Sequence, residues 1–409
     1  MHPSQVIRGG KSDRLKGETI VLGITGSIAA VETVKIIREL LRHGARVLPV
    51  MSRDATAIIT PDSIEFAAGI PPVVDITGQV EHVKLFGPGE EKASLMLIAP
   101  ATSNTLSKIA TGVSDTSVTT CASMALGAGV PLVVAPAMHA EMARNGLVTA
   151  NLDILRKAGV LFVPPILEEG EAKLARPEDI VAFVMHRLSK GPLAGQQILV
   201  IGGSTAEHID DVRYVTNGGS GRTAVELATW AFRLGANPTL WLGQASVPVP
   251  SYVPTRRFHD VAGLMALLGE EAETLRGAAW VLVPAALPDY TVEGRRRGKI
   301  DSASEASLTV RLTRAPKLIS EIRSRLSPKA RVVGFKLSPF DAPEDLAAKA
   351  RKLLNESKLD AVIANGPAAM GAESTQVLLI HGAGKPISIE GTKSRVALRL
   401  LELLGEAFP

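Results

Sequence analysis

The sequence predicts an α/β protein built from two doubly wound parallel-sheet domains, and three observations carry that prediction. Its 409 residues suit two domains, or at most three, of ordinary size. Continuous apolar runs of strand length alternate with helical stretches, the pattern of parallel sheets covered on both faces. One programme, a strand followed by a glycine turn and a helix, begins near residue 19 and begins again near residue 197.

Residues 1–17, MHPSQVIRGGKSDRLKG, carry charges and no apolar stretch, so they predict a loose tail and not a secretory signal. The first domain is expected over 18–188. Thr19–Ile24 reads as a strand and Gly26–Ser27 as a bend. A helix follows with Ile28, Val31, Val34, Ile37, Leu40 and Leu41 on one face, stopping at Gly44. ARVLPVM, SLMLIAPAT, VPLVVAPAM and GVLFVPPI supply four more strands. SKGPLAG, at 189–195, has the turn chemistry of a linker. The second domain, 196–409, runs through ILVIGGS, a helix from about Ala224 to Leu234, then NPTLWLG, AAWVLVPAA, RVVGFKL and LDAVIAN. Its end, QVLLIHGAGKPISIEGTKSRVALRLLELL, predicts a hairpin and a closing helix.

Composition narrows the function classes. Hydrophobic residues at 46% and charged residues at 21% exclude a disordered chain. Lys and Arg number 45 against 41 Asp and Glu, too small a surplus to imply a nucleic-acid partner. Aromatics, at 4%, are too few for a base-stacking platform. Cys121 is the single cysteine, which excludes a disulfide framework and a Cys-rich zinc site. No apolar run reaches the roughly 18 residues of a membrane span. The expectation is a soluble cytoplasmic protein without a membrane partner.

In the first half, a strand delivering Gly23-x-Thr25-Gly26-Ser27 into a helix aims backbone N–H groups and a hydroxyl at an anion, although a tight turn needs glycine for steric reasons as well. The second strand ends Met51-Ser52-Arg53, a hydroxyl and a cation where a dinucleotide site would place an acid. Two further strand ends carry Thr102-Ser103-Asn104 and Met138-His139. Four polar loops at the carboxyl ends of parallel strands predict a ligand crevice. His82, in GQVEHVKLFG, is a candidate acid–base group; a surface histidine on an amphipathic helix is the plainer reading.

GITGSIAA, the Glu81-His82 pair, LIAPATSNTLSKIATGVSDT and APAMHAEM, in that order, resemble the flavin-dependent cysteine decarboxylases and within them the phosphopantothenoylcysteine decarboxylases. The resemblance implies a flavodoxin-like or Rossmann-like domain holding FMN with Gly26, Ser27, Ser52, Thr102, Ser103 and Asn104. It makes His82 the proton-transfer group and places Met138, His139 and Lys173 at the substrate. FMN would oxidise the thiol-bearing carbon, carbon dioxide would leave, and the electrons would return. Two departures stand out. The family's Pro-Ala-Met-Asn-x-x-Met-Trp is here Pro136-Ala137-Met138-His139-Ala140-Glu141-Met142-Ala143, in which His139 still offers a donor to the substrate carboxylate. The flap cysteine of bacterial members has no counterpart between Leu167 and Leu174, which leaves Lys173 to supply a proton; Cys121 reads as a core residue.

In the second half, Gly202-Gly203-Ser204-Thr205 follows a strand, and Asn217-Gly218-Gly219-Ser220-Gly221 precedes a helix, with Asp210 and Arg213 between. Either cluster alone is explained by a tight turn; two in one βα unit point to an anionic ligand. Asp289, followed by Arg295, Arg296, Arg297 and Lys299, pairs a carboxylate suited to magnesium with cations suited to a nucleoside triphosphate. The window from Gly203 to Gly221, with Asp289-Tyr290 and Lys299, resembles the phosphopantothenate–cysteine ligase domain. The resemblance implies a Rossmann-like ligase using CTP, or ATP, with Mg2+ at Asp289. Gly203, Ser204, Thr205, Ser220, Asp289, Lys299 and Lys336 would contact the nucleotide, with Asn365 a further strand-end candidate and Arg213 at the substrate. Lys299 would stabilise formation of an acyl-nucleotidylate, and Asn217 would act as the cysteine amine displaces the nucleotide. Ser204 replaces a family glycine, and Asp301 and Ser302 replace lysines.

Together the halves imply coenzyme A biosynthesis by a homo-oligomer: cysteine is ligated to 4'-phosphopantothenate, and the product is decarboxylated to 4'-phosphopantetheine. Trimers of the flavin domain and dimers of the ligase domain would build a dodecamer. Other readings are a ligase whose degenerate flavin domain serves oligomerisation or regulation, an assembly protein without turnover, and an NAD-dependent dehydrogenase. The absence of a clean acid after Met51 weighs against the last.

Overall fold

A computed structural model describes residues 2–89, 92–168, 171–301, 307–338, 342–366 and 371–408. The chain divides into two compact units, Met1–Ser189 and Lys190–Pro409.

The first unit is built on strands β1 (Thr19–Ile24), β2 (Arg46–Met51), β3 (Leu95–Ala101), β4 (Leu132–Pro136) and β5 (Leu161–Phe162). They are parallel and ordered β2-β1-β3-β4-β5, the flavodoxin order. Every residue of β3 is buried, as its unbroken apolar run requires of a strand covered on both faces. Val118, Cys121, Ala122 and Ala125 of helix Ser117–Gly127 join Val21, Val50, Met96 and Ile98 of the sheet in one core. Helices Thr33–Arg42 and Pro177–Leu188 bury apolar stripes and pack together. A hairpin of β6 (Ile166–Glu168) and β7 (Glu171–Lys173) follows β5.

Two expectations for this unit need correction. The helix after β1 begins as a 3-10 turn, Ile28–Glu32, before the α-helix Thr33–Arg42. Three residues per turn rotate Ile28 and Val31 off the stripe formed by Ile36, Ile37, Leu40 and Leu41, and both are exposed. The N-terminal stretch is docked, not loose. The last carbonyls of helix Thr33–Arg42 and its cap have no intrahelical donors. The tail supplies them: Gly9 N donates to Leu41 O (2.9 Å), Lys11 N to Arg42 O (2.9 Å) and Leu15 N to His43 O (2.8 Å). Lys11 Nζ lies 2.6 Å from Glu39 Oε1, Ser12 Oγ is 2.7 Å from His43 Nδ1, and Leu15 is fully buried. Leu15→Ala should therefore cost the first unit about 2–5 kcal/mol in denaturant unfolding.

Burial raises the affinity of Glu39 for a proton, but hydrogen bonds from His43 and Lys11 outweigh it and bring the carboxyl down to about 2 from its ordinary 4.5. With the folded value depressed, this anchoring is fully present above the unfolded value near 4.5 and is lost as pH falls through about 2. Glu39→Gln should flatten the decline of the unfolding midpoint across that window.

The second unit carries β8 (Gln197–Gly202), β9 (Ala206–His208), β10 (Tyr214–Thr216), β11 (Asn237–Leu242), β12 (Thr255–Arg257), β13 (Trp280–Val283), β14 (Tyr290–Val292), β15 (Leu312–Arg314), β16 (Arg331–Leu337), β17 (Ala361–Asn365), β18 (Ser374–His381) and β19 (Ile387–Thr392). The main sheet is ordered β12-β11-β8-β13-β16-β17-β18-β19. Its first six strands are parallel in the dinucleotide-fold order, and the hairpin β18–β19 extends it antiparallel. Leu193, from the stretch read as a linker, belongs to this unit's core with Ile198, Ala231 and Leu404. The closing helix Lys393–Ala407 brings Gly405 so near Pro192 that a Cβ there would lie 2.8 Å from the proline ring. Among the described residues no helix is long and apolar enough to cross a membrane.

Candidate functional site

In the first unit the order of strands reverses between β1 and β3, and the loops leaving their carboxyl ends meet there. Buried Thr25 ties them together: its Oγ1 donates to Pro100 O (2.8 Å) and accepts from Thr102 N (3.1 Å). Gly26 is required by close approach, since a Cβ would stand 2.5 Å from Asp54 Cβ. Ser27 caps the 3-10 turn by accepting from Ala29 N (3.3 Å), and buried Ser52 caps helix Arg53–Thr56 by accepting from Ala55 N (3.3 Å). Each hydroxyl accepts at its cap and retains its own proton for an anion. Thr102 caps helix Ser103–Ala110 and spends its proton on Thr105 Oγ1 (3.1 Å), beside buried Ser103 and exposed Asn104.

His82 lies in helix Glu81–Phe86, half-buried, and its Nδ1 is buried without a hydrogen-bond partner. Val80, just before the helix, holds a left-handed φ of 50° that a β-branched side chain disfavours. Glu81 braces the turn: its carboxylate accepts from Thr77 Oγ1 (2.5 Å) and Thr77 N (2.9 Å), and these contacts lower its pKa. Cys121 is fully buried. Desolvation first, and then the charge of Glu81, pushes its thiol up to about 12, so it is a packed and unreactive residue.

Met138 pairs through its backbone with Ala172 of β7, so the hairpin lies along the loop that carries Met138 and His139. Lys173 is not a lone proton donor, because its Nζ is 2.9 Å from Glu168 Oε2 across the hairpin. His139 begins helix Ala140–Arg144 without capping it.

In the second unit the reversal falls between β8 and β13. Gly203 has φ +80°, and Ala286 N donates to its carbonyl (2.9 Å). Buried Ser204 bridges Gln244 on one side and Ala286 on the other. Buried Thr205 accepts through its carbonyl from Thr216 Oγ1 (2.6 Å). Asn217 Nδ2 donates to Ala286 O (2.9 Å), so the second glycine cluster is tied to the same loop residue that bonds Gly203.

Two concavities meet at Gly219. One, of about 160 Å³, is bounded by Gly203, Ser220, Arg222, Ala286, Asn365 and Lys393 among others. The other, an open cleft of about 620 Å³, is lined by Ser204, Asn217, Gln244, Ser246, Arg257 and His259 among others. Phe335 and Leu337 line the first, so Lys336 between them on β16 projects from the opposite face and is not brought to this cavity.

Lys299 is exposed and held by its backbone neighbours. Asp210, whose side chain is wholly buried, accepts through Oδ1 from Val212 N (2.7 Å) and Arg213 N (2.6 Å). Its Oδ2 accepts from Arg213 Nη1 (2.6 Å) and Ile300 N (3.1 Å). The backbone N–H of Arg213, and after it those of Ile300 and Val212, outweigh desolvation and hold this carboxyl far below the usual range. Arg213 Nη1 also donates to Ile300 O (3.2 Å). Asp211 accepts from Gly298 N (2.7 Å) and pairs with Arg295 (3.0 Å), so one member of the expected cationic run is already matched. Asp289 is exposed immediately before β14. Among the described residues no three His, Cys, Asp or Glu side chains cluster around a metal position.

Sequence reasoning passed over Gln244, Ser246, Arg257 and His259. The signal was Gly243-Gln244-Ala245-Ser246 directly after β11, a polar loop at a parallel strand's carboxyl end.

Residues 9–189 match the family model described as Flavoprotein, and residues 193–407 match the DNA/pantothenate metabolism flavoprotein C-terminal domain. The coenzyme A biosynthesis bifunctional protein CoaBC of Thermococcus kodakarensis is 42% identical over 382 residues, covering 93% of each chain. The CoaBC of Methanocaldococcus jannaschii is 32% identical over 406 residues, covering 98% of this chain and 97% of that one. A solved structure, the DNA/pantothenate metabolism flavoprotein from Streptococcus pneumoniae, is 24% identical and covers 52% of this chain and 100% of its own, with a TM-score of 0.46. Identity of 42% and 32% sustained over 93% and 98% of the chain, with both units matched by family models, places it: it belongs to the family of bifunctional coenzyme A biosynthesis proteins.

Proposed function

We infer that the second half ligates cysteine to 4'-phosphopantothenate and the first half decarboxylates the product to 4'-phosphopantetheine. The observation that carries this reading is full-length kinship to bifunctional relatives, together with a polar strand-end crevice in each half.

The first crevice fits a flavin phosphate: Gly26 leaves backbone exposed where no side chain fits, and Ser27 and Ser52 keep their hydroxyl protons. FMN, when bound, supplies the reversible two-electron oxidation that labilises the substrate carboxylate. Ser103 and Asn104 then orient it, and His82 moves a proton at the substrate's cysteine moiety. His139 donates to the carboxylate that departs. Lys173, steadied by Glu168, lies on the hairpin beside Met138 and covers the substrate.

In the second half, Gly203, Ser204, Thr205 and Ser220 cradle the phosphates of CTP with backbone amides and hydroxyls. Asp289 would hold the Mg2+ that accompanies the nucleotide, which would supply charge neutralisation at its phosphates. Lys299 stabilises charge as the phosphopantothenate carboxylate attacks the α-phosphate, releasing pyrophosphate. Asn217 and Arg213 orient the acyl-nucleotidylate as the cysteine amine displaces CMP. Exposed Ile28, Met142, Leu147 and Leu167 on the first unit suit coverage by further copies, as in a trimer, with ligase units paired as dimers in a dodecamer. The setting is the cytoplasm.

Incubation with phosphopantothenate, cysteine, Mg2+ and either CTP or ATP tests the reading. The expected products are phosphopantetheine, carbon dioxide, pyrophosphate and CMP, with faster turnover on CTP and a bound flavin spectrum. Phosphopantothenoylcysteine accumulating alone would mean that the first half serves only assembly or regulation. No amide product with either nucleotide would overturn the ligase assignment.

A further inference from the structure

The smaller cavity of the second unit holds positive charge that the described residues answer only weakly. Lys393 is 7% exposed and lines it, and no hydrogen bond or carboxylate partner reaches its ammonium among the described residues. Arg222 lines the same wall with its Nε buried and unpartnered. Its nearest carboxylate, Glu373, stands 3.9 Å away and is 85% exposed, too distant and too solvated to neutralise it. Thr375, also on the wall, has a buried hydroxyl without a partner.

Helix geometry sharpens the imbalance. Arg222 is the first residue of helix Arg222–Arg233, and Lys393 is the first residue of helix Lys393–Ala407. Each cation therefore sits at the positive end of a macrodipole, and neither first turn contains an acid. Gly221, the cap of the first helix, makes no side-chain cap bond. A buried ammonium without a partner, beside a half-buried guanidinium paired only at 3.9 Å with an exposed carboxylate, is costly at two helix N-termini unless an anion joins them. Burial, and then the charge of Arg222, pulls the Lys393 pKa down, the direction expected of an ammonium waiting for a counter-charge. Val377, Val396, Ala397 and Leu400 form an apolar floor that would strengthen any ion pair made above it.

We propose that this cavity is an oxyanion subsite of the ligase half, in which Lys393, Arg222 and Thr375 hold a phosphate group of a substrate. It opens beside Gly203 and Ala286 at the switch point, within the crevice assigned to the nucleotide. The choice of phosphate rests on the ligase reading of this half. The group comes either from the nucleotide's polyphosphate or from the phosphate monoester of phosphopantothenate.

The test uses the full-length protein with inorganic pyrophosphate and inorganic phosphate as probes, followed by calorimetry and thermal melting. Wild-type protein should bind one of them and melt higher in its presence. Lys393→Met should weaken that binding at least about tenfold and leave the ligand-free melting temperature unchanged or raised, because an unpaired buried charge has gone. Thr375→Val, which removes only the hydroxyl, should weaken binding severalfold and carries the test if Lys393→Met does not fold. A rise in KM confined to CTP assigns the subsite to the polyphosphate; a rise confined to phosphopantothenate assigns it to the monoester. Probe binding and both KM values indifferent to the two substitutions would overturn the proposal. A wild-type protein that makes no amide product yet binds pyrophosphate through Lys393 would instead overturn the ligase reading and leave the subsite standing.

Discussion

Replacing Asp210 with asparagine should lower the ligation kcat about a hundredfold while leaving the KM for nucleotide nearly unchanged. The carboxylate touches no reacting group in this scheme; it is a positioning residue for Lys299. Two of its four contacts close the turn Asp210–Arg213, and Ile300 N–H and Arg213 Nη1 converge on Oδ2. Asparagine can satisfy the first pair through its carbonyl oxygen, but its NH2 then faces two donors. The segment after β14 would lose its wholly buried tie next to Lys299 and lean on the half-exposed Asp211 and on the bond from Arg296 N to Ile209 O (3.0 Å). A displacement of about 1 Å in a charge-stabilising group is enough for a loss of about 10²-fold. Asp211→Asn, losing a more solvated contact, should cost far less. Decarboxylation of added phosphopantothenoylcysteine should be untouched by either change. Because the Asp210 carboxyl is held far below its ordinary 3.8, the clamp persists across any working pH and the defect should not be rescued by raising it. An Asp210→Asn enzyme ligating within about threefold of wild type would refute the role.

What was legible in the sequence was local. Gly26 and Gly203 announced themselves because a glycine turn between a strand and a helix is a short-range necessity, and the structure shows backbone or side chain where a Cβ would go. The parallel pairing in both sheets follows from the same alternation of apolar runs and helical stretches. Illegible features depend on what meets them from elsewhere. Leu15 is core only because the end of helix Thr33–Arg42 leaves carbonyls for the tail to satisfy. Leu193 is core only because the closing helix returns over it. Lys336 looked like a strand-end ligand, but its neighbours Phe335 and Leu337 take the cavity face, and a one-residue offset decides between the two faces of a strand. The charge run from Arg295 to Lys299 is divided by a carboxylate at Asp211, which no local spacing could indicate. Arg222, Thr375 and Lys393 come together from three elements far apart in the chain, and only the sheet order makes them neighbours.

His82→Asn should abolish decarboxylation, by about 10²–10⁴-fold, while ligation and flavin binding continue. The plainer reading of this histidine was a surface residue on an amphipathic helix, and the local geometry argues against it. Its Nδ1 is buried without a protein partner, which leaves that nitrogen for a group of the substrate or cofactor. The preceding Val80 accepts a left-handed backbone, and Glu81 spends both carboxylate oxygens on Thr77 to hold the turn in place. Strain and an unmet polar atom side by side are what the proton-transfer proposal for His82 rests on. Asparagine preserves a polar group of similar reach but cannot transfer a proton, so it separates proton transfer from packing. If His82 acts on the proton, the variant should melt at or near the wild-type temperature, keep its flavin spectrum and accumulate phosphopantothenoylcysteine from the intact ligase half. If His82 is structural, the same substitution should lower the melting temperature and diminish decarboxylation only in proportion to the folded fraction. Following both products and the melting curve in one preparation distinguishes the two.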